Sequence, residues 1–341
     1  MVFMFMEKIE VAIVGGGIAG LSVAKFLGEN GIPFILIEEH TQFFKKPCGE
    51  ITFPEIAGYS FHDFCDSGIE RELQHMCIHT KYGEIKAEIP VLILNKLKME
   101  EEMARQVRKY GEILMGEKVS FIENGVLHPQ KIKANIIVGA DGVFSVVRKY
   151  MGVKEPKTGF AAQTYLKDVN MDEDCAHIIL RDNIIKYGYA WYFPKKQNWN
   201  VGIGSFKMEF FKQSFPNFRK IGNEWKGSHF PADKPTKSYG KNAILVGDSA
   251  SHIMAAAGAG IFPSMIVAKI ASQFIGRFLE GKAKLRDFEN EWKKEIGKQF
   301  RYSYLASINY WKILRSEYMR HIVLRRIAKK SRYFYKTLQR K

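Results

Sequence analysis

Short, wholly apolar runs recur along the chain, each followed by glycines and then by a stretch with helical spacing. Residues 11–14 are the first, a buried strand running into Gly15, Gly16 and Gly17, then a helical pattern to Leu27 and Gly31. Residues 34–37 form a second buried strand, so this segment reads as a βαβ unit. A helix is predicted over 100–110, with Met103, Ala104 and Val107 on one face, and a hairpin over 118–133 turning at Asn124 and Gly125. Another parallel-type strand at 136–138 ends in Gly139, Ala140, Asp141 and Gly142. From 161 to 206 apolar positions alternate over longer segments, as in an antiparallel sheet. Residues 206–239 are aromatic, basic and broken by prolines, which predicts irregular structure around a pocket. A buried strand returns at 243–246, leading into Gly247, Asp248 and a long apolar helix over 261–276. The predicted fold is α/β: a discontinuous Rossmann-type domain (1–160 and 238–282), an inserted antiparallel-sheet substrate domain (161–237) to which 53–92 partly contribute, and a basic helical C-terminus (283–341).

Composition narrows the class. Of 341 residues, 46% are hydrophobic and 13% aromatic, which excludes a disordered or collagen-like chain. The net charge of +16 is uneven. From Lys312 onward eleven Lys or Arg face one acid, Glu317, so the last thirty residues hold +10 and the other 311 hold +6. Such a tail suits an anionic membrane surface or a solvated helix; no recognition motif accompanies it, so nucleic acid is not an expected partner. The four cysteines, Cys48, Cys65, Cys77 and Cys175, show no CxxC pair and no metal-ligand spacing with histidine, so no metal is expected and all four are expected to be reduced. The apolar opening at 1–6 is too short for a secretory core, and no run reaches the ~18 residues of a membrane span. The expected location is cytoplasmic, with peripheral contact at the inner membrane face through the tail.

The chemistry starts at Gly15-x-Gly17-x-x-Gly20. The first glycine permits the turn, the second lets backbone approach a diphosphate, and the third lets helix pack on strand. Ile18 and Ala19 open the helix whose N–H groups face the anion. Glu38, beside Glu39, ends the second strand and should bind the adenosine ribose. A second signal separates FAD from NAD: Gly247 and Asp248 leave a buried strand, and Gly258, Gly260 and Ile261 open a helix suited to the flavin's pyrimidine end. FAD is therefore the expected cofactor.

These segments, with Ala140, Asp141, Gly142 and Arg148 between them, resemble the three fingerprints of the p-hydroxybenzoate-hydroxylase-like flavoproteins, in that family's order. Pro47-Cys48-Gly49-Glu50 and Tyr189-Ala-Trp191-Tyr-Phe193-Pro194, with Gly202 and Gly204 beyond, resemble the geranylgeranyl reductases of archaeal lipid synthesis. Lys96 stands where the superfamily usually has an arginine, and the loop after Asp248 lacks the expected proline. His252 misses the family's histidine spacing by one position and has no assigned role.

The resemblance implies hydride transfer from reduced FAD to a prenyl C=C, with a proton delivered to the neighbouring carbon. Tyr189, Trp191 and Phe193 would wall the apolar substrate, and Cys48, with Gly49 beside the flavin, would donate the proton or tune the flavin. For each of these four the plain alternative is core packing. Cys65, Cys77 and Cys175 are expected to be buried apolar cysteines. A prenyl lipid and an electron donor, either NAD(P)H or a ferredoxin-like protein, are the implied partners. The rival reaction is that of a flavin monooxygenase or halogenase on the same fold.

Overall fold

The computed structural model describes residues 7–340; the apolar opening at 1–6 and Lys341 lie outside them. An eight-stranded sheet forms the first layer. Its parallel centre runs Glu112–Met115, Phe34–Glu38, Glu7–Val14, Ile132–Gly139. The last of these pairs along its far edge with two partners. Its start takes the hairpin Phe121–Glu123 and Val126–His128, and its end takes Ala243–Leu245 in parallel. A strand more than a hundred residues away in sequence thus completes the nucleotide-binding sheet.

Both faces of this sheet are covered, which is why its strands read as unbroken apolar runs. Val11, Ile13, Leu36, Ile136 and Val138 meet the helices Ile18–Glu29, Lys96–Val107 and Ile261–Leu279. Ala12, Val14, Ile35, Ile37 and Ile137 point the other way, toward Leu127 and Val147. Each large side chain fully buried here, such as Phe262 or Phe274, contributes roughly 1.5–3 kcal/mol relative to exposure. Lys269 interrupts the apolar helix without cost to packing, because its ammonium lies 5.2 Å from the centre of the Phe64 ring.

The second layer is a seven-stranded sheet in the order Lys226–Pro231, Thr158–Leu166, Trp199–Ser205, Gly188–Pro194, Cys175–Leu180, His75–Thr80, Gly83–Ala87. All neighbours are antiparallel except Cys175–Leu180 with His75–Thr80, which run parallel. Residues 206–239 are not irregular as expected. They form the helix Met208–Phe218 and the edge strand Lys226–Pro231. Pro216 lies near the helix end and Pro231 at the strand end, where neither breaks the element. The helix expected over 100–110 begins earlier, at Lys96, where the Asn95 side chain accepts from Lys98 N and caps it.

Two expectations about the cysteines fail. Cys77 and Cys175 are joined in a disulfide, so they are neither reduced nor simple apolar filler. They are 98 residues apart in sequence, and only the parallel pairing of their strands brings the Cα atoms to 5.9 Å. No helix among the described residues is long and apolar enough to cross a membrane.

The C-terminal region is four helices, Leu285–Glu295, Gly297–Ile313, Glu317–Ala328 and Ser331–Gln339. The last returns to the body: Ala57 N donates to Leu338 O at 2.9 Å, and Glu88 N donates to Ser331 Oγ at 3.1 Å.

Candidate functional site

Strand ends of the first sheet and one face of the second enclose a cavity of about 970 Å³. Gly15, Gly17, Ile18 and Ala19 line it from the first turn, and Glu38 and Glu39 from the second strand. Cys48, Gly49 and Lys96 line it beside Ala140, Asp141 and Gly142. Asp248, Gly258, Gly260 and Ile261 close one side, and Tyr189, Trp191 and Phe193 face them. Gly20 and Gly247 do not line it. A Cβ on Gly20 would lie 1.9 Å from Gly15 O, and one on Gly247 2.8 Å from the Ala19 Cβ, so both serve close packing of the wall.

The glycines of the first loop divide by purpose. Gly15 has φ +101°, and a side chain there would meet Ala140 O at 2.4 Å. Gly17 would meet nothing within 4 Å, because it opens on the cavity. It is also the N-cap of Ile18–Glu29 without any side-chain cap, so the helix's first N–H groups are left for a ligand. Beside it, Glu38 accepts from Gly16 N at 2.5 Å and from His40 N at 2.9 Å, which fixes the carboxylate against the loop. Gly260, N-cap of the helix Ile261–Leu279, likewise has no side-chain cap. Two bare helix N-termini on one cavity fit an extended, multiply anionic ligand such as FAD.

Asp141 plays a double part. One carboxylate oxygen accepts from Val146 N at 2.7 Å and Val147 N at 3.3 Å, capping the short helix there. The other, buried, has no protein partner. Burial pushes its pKa up. Arg148, fully buried, donates to Ser249 O at 2.9 Å and Val143 O at 2.5 Å, tying the Asp141 loop to the Asp248 loop. Asp248 is ion-paired with Lys46.

Cys48 is held by its backbone. Its N–H donates to Gln163 Oε1 at 3.2 Å, and its carbonyl accepts from Asn200 Nδ2 at 2.9 Å. Asn200 also donates to Glu50 Oε2 at 3.0 Å and accepts from Trp191 Nε1 at 2.9 Å. Glu50, with φ +56°, accepts in addition from Tyr165 Oη at 2.6 Å and from Lys96 N at 2.9 Å, and Lys195 Nζ lies 3.1 Å away. Such a left-handed non-glycine residue persists because these bonds over-determine it. Burial pushes the Cys48 thiol up, against the opposing pull of Lys96. Burial also works against the Lys96 ammonium, but Glu100 at 2.6 Å, with Glu50, holds its pKa above the usual value.

The aromatic wall has its own logic. Tyr189, Trp191 and Phe193 alternate on one face of Gly188–Pro194, and Trp191 and Tyr189 lie opposite Gly202 and Gly204. A Cβ on Gly202 would stand 2.1 Å from the indole, so the ring lies over a strip that only glycine leaves clear. Tyr189 Oη donates to Ala257 O at 2.6 Å, while Gly49 stands against Phe193. One strand thus touches both the Cys48 loop and the Asp248–Gly260 loop. Sequence reasoning missed Lys46, Gln163, Tyr165, Lys195 and Asn200; each acts on a partner remote in the chain, and no local spacing marks it. His252 lies outside the cavity, buried between Trp292 and Phe300 at ring-centre distances of 4.8 and 5.6 Å.

Residues 158–224 match the model of the geranylgeranyl reductase catalytic domain, and residues 8–55 that of an FAD-binding domain. Digeranylgeranylglycerophospholipid reductase 2 of Methanopyrus kandleri is 23% identical, over 88% of this chain and 86% of that protein. A geranylgeranyl bacteriochlorophyll reductase-like structure from Thermoplasma acidophilum superimposes with a TM-score of 0.78 at 20% identity, over 89% of this chain and 88% of the other. The p-nitrophenol 4-monooxygenase of Pseudomonas putida shares the fold at a TM-score of 0.72 and 15% identity, over 98% and 100% of the two chains. Bare helix ends on a cavity of this size, the glycine strip under Trp191 and the two matched segments agree: the chain is an FAD-dependent oxidoreductase of the geranylgeranyl reductase type, on a p-hydroxybenzoate-hydroxylase-like fold.

Proposed function

We propose that the protein saturates C=C bonds of a prenyl chain, of geranylgeranyl type, carried on a lipid or quinone. The observation that carries this reading is the strand Gly188–Pro194, whose aromatic side chains form an apolar wall tied to both loops of the flavin site. FAD supplies the two-electron transfer. Gly15, Gly17 and the first turn of Ile18–Glu29 bind its diphosphate, Glu38 the adenosine side, and Asp248 with the Gly258–Gly260 turn the other end. Lys96 sets the charge beside Cys48. Cys48, kept protonated by burial, holds a proton at Sγ for the reacting carbon, while Gln163 and Asn200 orient its peptide. Tyr189, Trp191 and Phe193 exclude water from the alkene.

On this reading 1–160 with 238–282 bind the cofactor, and 161–237 with the 53–92 strands hold substrate. NAD(P)H or a ferredoxin-like protein supplies electrons. The basic C-terminal helices, which expose Tyr318, Met319 and Tyr333, lie on an anionic bilayer from which the lipid enters. The test is an anaerobic single turnover: chemically reduced holoenzyme mixed with a geranylgeranyl lipid, with flavin absorbance followed and lipid mass measured. Reoxidation with a mass gain of two hydrogens per bond supports the proposal. Flavin that ignores the lipid but reacts with oxygen to hydroxylate or halogenate an aromatic additive would replace it with the rival reaction.

A further inference from the structure

Lys195 follows the last residue of the aromatic strand Gly188–Pro194 and is only 8% exposed. An ammonium has three protons to direct, and here three oxygens surround it. Glu50 Oε2 lies 3.1 Å away, Glu70 Oε2 3.4 Å away, and the Leu94 carbonyl accepts the remaining bond. Glu70 is held in turn by Asn95 Nδ2 at 3.1 Å, and Leu94 N donates to the Glu50 carbonyl at 2.8 Å. The lysine's own N–H donates to Asn198 O at 2.8 Å, which pins its backbone as well. One buried cation thus ties the end of the aromatic strand to the turn that carries Cys48. Lys195 does not line the cavity, so it is no ligand there.

The turn needs such a tie. Glu50 keeps a left-handed backbone at φ +56°, which a residue with a Cβ adopts only at a cost. Beyond it Ile51–Thr52 pairs with Val91–Leu94, so the chain on that side is fixed. On the other side Glu50 N donates to Cys48 Sγ at 3.4 Å. If Glu50 relaxed to an ordinary φ while the strand stayed in place, the Gly49–Glu50 peptide would swing and carry that N–H off the sulfur. The carboxylate prevents this: Lys96 N holds one oxygen, and Tyr165 Oη, Asn200 Nδ2 and Lys195 Nζ hold the other. Of these four donors only Lys195 Nζ is a cation, the counter-charge that a carboxylate of 1% exposure requires.

The geometry points to Lys195 as a positioning residue for Cys48: by anchoring the Glu50 carboxylate it locks the left-handed turn that keeps the Glu50 N–H on Cys48 Sγ. This inference rests on the reading of Cys48 as the group that holds the proton. On that reading the N–H fixes the sulfur, and it remains as a donor to the thiolate left when the proton has passed to the reacting carbon. The other titratable groups that face the sulfur are Lys96, Glu50 and Lys46, with the phenols of Tyr165 and Tyr189. Lys96, Lys46 and both tyrosines stay the same in every variant below, so differences among the variants report the turn.

The test reads the sulfur directly and needs no lipid. FAD-loaded protein is alkylated with iodoacetamide across a range of pH, the modified Cys48 peptide is quantified by mass, and the midpoint of the rate profile gives the ionisation of the thiol. Glu50→Gly and Glu50→Ala both remove the carboxylate, but only glycine takes the left-handed turn without cost. The midpoint is therefore expected to be higher in Glu50→Ala than in Glu50→Gly, by about half to one pH unit, the size of one hydrogen bond. Lys195→Met is expected to raise the midpoint when made in the parent, and to shift it much less when made in the Glu50→Gly variant. The flavin spectrum reports the fold of each variant; if Lys195→Met loses it, the two Glu50 variants decide. Equal midpoints in folded Glu50→Ala and Glu50→Gly, or a Lys195→Met shift as large in Glu50→Gly as in the parent, would overturn the proposal. Midpoints that separate as expected, while the lipid reoxidises reduced flavin equally fast in Glu50→Ala and Glu50→Gly, would uphold the positioning role and remove Cys48 from the proton step.

Discussion

Asn200 has no exposed surface, yet bonds Trp191, Cys48, Glu50 and Gln163 at once. Replacing it by Ala leaves buried groups unpaired at ~1–3 kcal/mol each, so the melting temperature should fall. Flavin content should survive while turnover drops, because the Cys48 peptide loses its hold. Unchanged turnover in a folded Asn200→Ala variant would separate the clamp from catalysis. Cys48→Ala should keep FAD but slow single-turnover reoxidation by ~10²–10⁴-fold, the usual loss for a positioned proton donor. His252 gives a different readout. Both its ring nitrogens are without a hydrogen-bond partner, and burial holds its pKa at about 3, against 6.5 in the unfolded chain. The unfolded state therefore binds a proton that the fold refuses, and stability is lost as pH falls from about 6.5 toward 3, by up to ~1.4 kcal/mol per unit. Chemical denaturation at pH 7 and pH 5 should show a smaller drop for His252→Phe than for the parent. Residues of this kind were poorly legible: Asn200 reaches Cys48 across 152 positions, and nothing beside it in the sequence says so.

Elements were read more easily than their partners. The turn at Gly15–Gly20 was legible because its glycines answer to backbone a few residues away, and the helix Ile261–Leu279 because its apolar positions run all round it. The helix Met208–Phe218 was hidden by Pro216 and by aromatic residues whose packing, such as Phe211 against Phe160 of a neighbouring strand at 4.8 Å, is tertiary. The first loop also yields a pair of contrasting substitutions. Gly17→Val meets no protein atom near its Cβ, so the variant should fold, run as the parent on gel filtration, and be colourless. Gly15→Val collides with Ala140 at a positive φ and should fail to fold. A yellow, fully loaded Gly17→Val protein would mean that the diphosphate does not pass this turn.

At the scale of the molecule, the basic C-terminal helices are part of the body as well as its most charged surface. Removing the end of the chain would cut the bonds of Leu338 and Ser331, so charge neutralisation is the cleaner test of membrane contact. Changing the exposed Arg325, Arg326, Lys329 and Lys330 to Gln should leave the flavin spectrum intact and weaken binding to anionic vesicles by about 1 kcal/mol per charge at low salt. Parent protein that ignores such vesicles would leave the charge a solvated face. The disulfide, invisible in cysteine spacing, belongs to this scale too, since it needed the parallel pairing of two distant strands. That same long-range architecture bears on how the protein is made. Gly15 and Asp248 face one cavity but are separated by most of the chain, and the strand Ala243–Leu245 must dock before the second flavin loop exists. At about 5–20 residues per second of synthesis, the first loop waits on the order of ten to fifty seconds for the second. Capture of the dinucleotide by both loops therefore has to follow synthesis of the strand Ala243–Leu245, and until then the first loop stands as half a binding site.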